Sequence, residues 1–523
     1  MIFGGRQLGL ALLALGLLCP PMSWMQAAAQ TKSTSSTTAK TTAAKKKPTS
    51  AKKRATAARK RIARSTTAKK AAPSKSRKRT ATAASRTAAR RDTSVTAAAR
   101  ERASAAIAEQ LGKPSTEFLE QPGSLIPFFE QLYRQENQLS TGPVRILQYG
   151  DSHTAADVWT AAIRTSLQAR FGDGGSGFSH AGSPWRGYRR FDVSGRASAR
   201  WQSAGLLGRA SLRGDEFQGL SGVSVSTRFP KEWITLRATC SSLEVFYLQQ
   251  PRGGRILLYD NGELVAEHST DGEYGPGILQ VPLSTAGEHE FRIETVDAAP
   301  VRLFGWVAEN DSGVTYEPLG INGAQATIAT NWNPELFAAY VARRDPALIV
   351  IAYGTNEAGH TIWNYESYYA EFDALLKRIR SASPTAAILV VGPPDRLTYS
   401  RGRGWTRAPR LDLVIRAQRA AAQANRVAFW DTHARMGGEN SMRKWVQAGL
   451  AASDHVHFSS AGYRRLGEAL YQDLMVQYNE FQGLRRLWSA TTSEGTHSPE
   501  SVGTDESTPR TNSATREEGF QEE

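Results

Sequence analysis

Continuous apolar runs alternate along the chain with stretches of helical period. VRILQYG (144–150), LIVIAYG (348–354), AAILVVG (386–392) and VAFWD (427–431) have the composition of strands buried on both faces. Between and after them the apolar positions recur at helical spacing. Val158, Ala162, Ile163 and Leu167 share one face, and YYAEFDALLKRI (368–379), LDLVIRAQRAAAQAN (411–425) and AGYRRLGEALYQDLMVQY (461–478) keep the same period; a further helix is predicted around 124–138. Strands and helices taking turns predict an α/β fold, a parallel sheet with helices on both faces and reactive groups at the carboxyl ends of its strands.

Residues 184–310 break that rhythm. EWITLRA, SLEVFYLQQ, GRILLYDNGELVAEHS, GEHEFRIETV and VRLFGWVAE are short strand-like runs, and Asn261-Gly262 supplies the positive backbone angles of a tight hairpin. This predicts an all-β sandwich or jelly roll inserted into the α/β domain, which it divides into residues 115–183 and 311–484. Trp201, Trp233, Tyr247, Tyr259 and Trp306 suit a core better than a sugar-binding face. GDGGSGF (172–178) lacks the Lys of a phosphate loop and reads as a flexible loop.

The two ends differ in composition from the middle. Residues 1–30 read as a signal peptide: Arg6, an apolar stretch from Leu8 to Leu18 too short for a comfortable membrane span, Pro20 and Pro21, then Ala27, Ala28 and Ala29. Its removal leaves Cys240 as the only cysteine, no transmembrane span, and an expected location in the periplasm or cell envelope. The formal charge of +16 is concentrated in one place. Residues 31–100 carry 22 Lys and Arg against one acid, Asp92, whereas residues 101–523 carry 42 basic and 48 acidic side chains. Residues 31–114 therefore read as a disordered basic tether, either a solvated spacer or a nonspecific contact to polyanions or anionic lipid. The folded part has no basic surplus, which argues against specific nucleic-acid binding. Residues 485–523 read as a second disordered tail.

Ser152 follows a predicted buried strand and precedes a helix, where its hydroxyl stands at the active edge of the sheet. A serine needs a general base held by a third group to become a nucleophile. Asp454 and His457, three apart in ASDHVHFSSAGY, have the spacing for a carboxylate to orient an imidazole, and Asn356 in YGTNEAG brings an amide to the end of another strand. Asp151, His153, Asp454, His455 and His457 also contain metal-ligating side chains, but no paired helical or cysteine spacing supports a metal site.

These blocks resemble the SGNH, or GDSL-type, hydrolases. Gly150-Asp151-Ser152-His153 is similar to that family's first block, Gly354-Thr355-Asn356-Glu357 to its Gly-x-Asn-Asp block, and Asp454-His455-Val456-His457 to its final Asp-x-x-His. The resemblance implies a flavodoxin-like sheet and a cofactor-free, metal-free serine esterase. Ser152 would be the nucleophile, His457 the base and Asp454 its partner, with an oxyanion hole made of the Ser152 N–H, the Asn356 side chain and a glycine N–H. Gly323 is favoured over Gly320 for that glycine. His153 and His360 are expected to contact substrate.

GDSHT, the inserted β module and FWDTHARMGG followed by Trp445 resemble the bacterial peptidoglycan O-acetylesterases. The expected activity is removal of O-acetyl groups from an envelope polysaccharide, most of all peptidoglycan. Another acetylated glycan such as xylan, transfer of the acetyl group to a sugar, and a non-catalytic envelope-binding role are the alternatives. The β module is expected to position a polymer and to be dispensable for a small ester.

Overall fold

The computed structural model describes residues 83–205 and 216–494. The expected signal peptide, most of the basic tether and the tail beyond residue 494 lie outside the described residues. The described chain begins with α1 (Ala83–Gly112), β1 (Leu119–Glu120) and α2 (Ile126–Glu136). Next come β2 (Val144–Gly150), the single turn α3 (Ser152–Ala155), α4 (Trp159–Phe171) and β3 (Gly175–His180). A run of strands follows: β4 (Gln202–Ala204), β5 (Ser224–Thr227), β6 (Trp233–Cys240), β7 (Ser242–Gln249), β8 (Arg255–Asp260), β9 (Glu263–Ser269), β10 (Gly275–Val281), β11 (Gly287–Thr295), β12 (Val301–Glu309) and β13 (Val314–Gly320). Alternation then resumes with α5 (Pro334–Arg344), β14 (Leu348–Ala352), α6 (Thr355–Ala358), α7 (Tyr365–Ala382) and β15 (Ala387–Val391). After a hairpin of β16 (Leu397–Ser400) and β17 (Gly404–Arg407), the chain ends with α8 (Leu411–Ala424), β18 (Ala428–Trp430), α9 (Thr432–Arg435), α10 (Ser441–Gln447) and α11 (Ser460–Glu494).

The central sheet has the order β1-β18-β15-β14-β2-β13. All neighbours are parallel except β1, which runs antiparallel on β18 at the edge. Ignoring β1, the first strand lies between the second and third, the flavodoxin-like doubly wound order, whose direction reverses between β2 and β14. The continuous apolar runs are explained by this burial. Leu147, Tyr149, Ile349 and Ile351 enter the core on one face, while Ile146, Leu348 and Val350 enter the core on the other.

The inserted strands form two antiparallel sheets, β10-β7-β12-β5-β4 and β6-β11-β8-β9. Val245, Tyr247, Leu303 and Trp306 face Ile234, Leu236, Ile256 and Phe291 in the sandwich core. Trp306 and Tyr247 are thus core side chains, and Trp201 packs against the same cluster. The alternate residues Phe246, Leu248 and Phe304 point the other way and join the α/β core. There Phe246 stacks on Tyr340 of α5 at 4.7 Å between ring centroids, and the Tyr340 hydroxyl donates to the carbonyls of Tyr247 (2.5 Å) and Gly277 (3.1 Å).

Three boundaries differ from those expected. The glycine-rich stretch read as a flexible loop ends in β3, a buried strand that pairs antiparallel with β12, so the inserted sheet recruits a strand from before residue 184. Its glycines permit this: Gly177 has φ +62°, and a Cβ there would lie 2.4 Å from the Glu317 carboxylate.

Helix α1 also occupies the end of the segment read as disordered. Local composition misses the partners that hold it. Ile107 and Leu111 are buried in the α/β core, Arg435 donates to the carbonyls of Gln110, Leu111 and Lys113 at the end of α1, and Arg465 donates to that of Ser104. The bonds to Gln110 and Leu111 satisfy carbonyls that a helix end leaves open. At the other end α11 runs to Glu494, past the expected limit of 484. No helix among the described residues is long and apolar enough to cross a membrane.

Candidate active site

The ends of β2 and β14, the two strands at the switch point, carry the first elements of the site. Gly150 closes β2, and only glycine fits: a Cβ there would lie 2.2 Å from Thr154 Oγ1 and 2.8 Å from the Ala352 carbonyl. Asp151 caps the following turn by accepting from the His153 N–H at 2.9 Å, so Ser152, the first residue inside the turn, keeps its hydroxyl free of capping. Burial pushes the Asp151 carboxyl up to about 6, against hydrogen bonds from the His153 N–H and Thr355 and the positive charges nearby.

The Ser152 hydroxyl lies 2.9 Å from His457 Nε2, although 305 residues separate the two in sequence. On the other side of the ring, His457 Nδ1 lies 2.8 Å from Asp454 Oδ2. Asp454 Oδ1 accepts from the N–H groups of Val456 (2.9 Å) and His457 (3.0 Å), which fixes the carboxylate within its own loop. Partial burial pushes the Asp454 carboxyl up, but the bonds from the His457 ring and from these amides outweigh it and hold the group below its ordinary range. An ionised Asp454 accepts a proton-bearing Nδ1, leaving Nε2 with the lone pair that receives the serine O–H. This arrangement can deprotonate a hydroxyl as it attacks.

Asn356 stands in the turn after β14, and its Nδ2 donates to the Ala324 carbonyl at 2.8 Å. Next to it Glu357, fully buried, accepts from the Ala326 N–H (2.8 Å) and the Gly354 N–H (3.2 Å). Burial raises the Glu357 carboxyl to about 7, opposed by the Ala326 and Gly354 amides. Both residues therefore grip the turn that follows Gly323. Gly323 itself is exposed, with φ +77° and open space where a Cβ would stand, whereas Gly320 is enclosed at the end of β13 and would clash with Ala155 at 2.2 Å.

His153 does not have the exposure that substrate contact requires. Its ring is buried, 5.4 Å from the His457 ring and 5.7 Å from Phe458, with Nδ1 2.9 Å from the Tyr463 hydroxyl. Burial lowers it to about 3, so it stays neutral and backs the His457 ring as a wall. His360 is exposed just beyond the Asn356 turn. Trp445 is core: it is fully buried, donates to the Met436 carbonyl and packs on Phe458. Among the described residues, no group of three or more His, Cys, Asp or Glu side chains could hold a metal ion.

Sequence reasoning missed Arg396. Its guanidinium donates to the Thr355 carbonyl, and its charge acts on Asp151, Asp454 and Glu357. The available signal was its place in GPPDRL, just past the carboxyl end of β15, where this fold gathers its reactive groups.

A flavodoxin-like sheet with a serine, a histidine and an aspartate joined by hydrogen bonds at its carboxyl edge defines a serine hydrolase of the SGNH type. The profile of the GDSL-like Lipase/Acylhydrolase family matches residues 286–465, a span that holds Asn356, Asp454 and His457 but not Ser152. A solved structure described as a peptidoglycan O-acetylesterase in action is 31% identical, covering 68% of this chain and 96% of that one with a TM-score of 0.58. The chain belongs to the GDSL-like lipase/acylhydrolase family, and it is an esterase. Family two carbohydrate esterases are more distant. That of Cellvibrio japonicus is 12% identical over 55% of this chain and 98% of its own, and that of Clostridium thermocellum, solved with cellohexaose, 13% over 49% and 95%; both have a TM-score of 0.24. No curated protein matches the chain.

Proposed function

We propose that this esterase is exported and removes O-acetyl groups from a cell-envelope polysaccharide, peptidoglycan above all. The observation that carries the mechanism is the unbroken hydrogen-bonded series Ser152 Oγ, His457 Nε2, His457 Nδ1, Asp454 Oδ2. Likeness to the peptidoglycan O-acetylesterase over nearly all of that chain supports the substrate.

Ser152 Oγ attacks the acetyl carbonyl carbon as its proton passes to His457 Nε2. The negative charge that develops on the carbonyl oxygen is met by the Ser152 N–H, the Gly323 N–H and the free N–H of the Asn356 amide, donors already held in place. His457 then gives its proton to the sugar oxygen, the C–O bond breaks, and the deacetylated glycan leaves an acetyl group on Ser152. Water, deprotonated by His457, attacks that ester and releases acetate and the free serine. Asp454 keeps the imidazole in the required tautomer and stabilises its charged form. His360, on the exposed side of the Asn356 turn, is available to the substrate.

Acetate release from O-acetylated peptidoglycan and from acetylated xylan, by wild type and by Ser152→Ala, tests this reading. Peptidoglycan should be preferred and the variant inactive. Equal rates for wild type and variant would overturn the mechanism, and a preference for xylan would overturn the substrate.

A further inference from the structure

Resting on the glycan-esterase reading above, we propose that the β16–β17 hairpin is a substrate-binding arm. Tyr399, braced by Trp405, stacks on the sugar ring beside the acetylated one, and Arg401 and Arg403 bind carboxylates carried by the same polymer.

The hairpin is fastened to the loop that bears Asp454 and His457. The Leu397 N–H donates to the His455 carbonyl at 3.1 Å, and the Trp405 ring lies on the His455 ring with centroids 4.2 Å apart at 35°. His455 stands between Asp454 and His457 in sequence, so the aromatic pair is anchored to the loop that carries the proposed base. Tyr399 pairs with Trp405 across the two strands and meets it edge-on at 5.3 Å and 63°. Arg443 on α10 donates to the Trp405 carbonyl and holds the second strand. The platform is therefore built before substrate arrives, which lowers the ordering cost of binding.

Tyr399 is 61% exposed although it sits in an ordered hairpin against another aromatic ring. The α/β core gains little from it, and neighbouring aromatic faces of this kind suit the apolar C–H face of a pyranose. At the turn, Arg401 and Arg403 flank Gly402 and are exposed. Arg407 on the same hairpin is paired with Asp412 and Glu439, whereas neither turn arginine meets a carboxylate among the described residues. Two unpaired guanidinium groups beside an aromatic platform select a glycan with carboxylates, such as peptidoglycan with its peptide side chains, over a neutral acetylated glycan. A small ester has neither a second sugar ring for Tyr399 nor a carboxylate for the two arginines, so these contacts act on the polymer.

The test compares wild type, Tyr399→Ala and the double variant Arg401→Ala/Arg403→Ala on O-acetylated peptidoglycan and on 4-nitrophenyl acetate. Reading the ratio of the two kcat/KM values cancels any loss of folded protein. Each variant should lower that ratio by about fivefold or more. The arginine effect should appear mainly in KM and fade near 0.5 M salt, where exposed charges are screened over about 4 Å; Tyr399→Phe should restore most of the ratio. Unchanged ratios in both variants, with wild type active on peptidoglycan, would overturn this inference alone. Wild type that turns over the small ester but releases no acetate from peptidoglycan would overturn the substrate reading and this inference with it.

Discussion

The Ala326 N–H donates to Glu357 Oε1 at 2.8 Å, so the turn following Gly323 is held by a residue of the Asn356 block. The Asn356 amide holds the same turn through the Ala324 carbonyl. Two of the three proposed oxyanion donors are therefore positioned by one another. Glu357→Gln keeps a single oxygen where two N–H groups now find acceptors, and leaves one of them opposed by an NH₂. A lost buried bond is worth on the order of 1–2 kcal/mol. The expected outcome is a fall in kcat of about tenfold with KM changed less than about twofold, read from steady-state turnover of an acetyl ester. A rise in KM at constant kcat would mean that Glu357 serves substrate binding instead.

Asp454→Asn preserves an oxygen for the Val456 and His457 amides but turns an NH₂ toward His457 Nδ1. The imidazole then has to present its lone pair at Nδ1, and Nε2 can no longer take the serine proton. The expected loss in kcat is about 10⁴-fold. Because the residue is half exposed and its amide bonds survive, the melting temperature should stay within about 3 °C of wild type. A variant with near-normal kcat would exclude Asp454 as the orienting group.

Acid should destabilise the protein through His153. Its folded value, about 3, lies below its ordinary value of 6.5, so between these limits the unfolded chain binds the proton that the folded ring refuses. That contribution to stability is present above about pH 6.5 and is lost as the pH falls toward 3. Asp151 and Glu357, raised to about 6 and about 7, act in the opposite sense because the folded state holds their protons more tightly. Comparing wild type with His153→Leu isolates the histidine. Urea midpoints at pH 7.5, 6, 5 and 4 should show the variant gaining on wild type with each step of acidification, and a constant difference would refute a buried neutral His153.

The inserted sandwich should unfold together with the α/β domain. Phe246 and Phe304 lie in the same core as Tyr340, so Phe246→Ala should cost about 3–5 kcal/mol and shift a single transition seen by both fluorescence and circular dichroism. Replacing 184–310 with a linker would bare α5 and leave β3 without β12. Such a deletion should lose small-ester turnover along with polymer turnover, contrary to the separable module that the sequence pattern suggests. Two resolved transitions would restore the modular view.

The sequence reveals what is local and repeated, and conceals what depends on distant contacts. The four apolar runs were legible because a strand buried on both faces leaves no polar phase, and the turns bearing Ser152 and Asn356 follow from where such strands end. The Asp454–His457 spacing was legible because carboxylate and ring share one loop. Helix α1 was not, since the arginines that hold its carbonyls lie in α9 and α11. His153 was misread because nothing in GDSHT shows that Tyr463 covers it. Arg396 and the grip of Glu357 on Ala326 escaped for the same reason: each depends on the fold bringing separate strand ends to one edge.

The order of strands in the central sheet also sets a sequence of events during synthesis. β2 emerges early, yet its two neighbours, β13 and β14, begin only at Val314 and Leu348. Until the entire sandwich has been made, an apolar seven-residue strand with Ser152 at its tip has nothing to pair with. Pairings this distant form slowly and leave sticky intermediates. A chain interrupted before β13 is thus a candidate for aggregation, and one interrupted before His457 lacks the proposed base. On the proposed mechanism, no nascent fragment that stops before His457 can act on an ester.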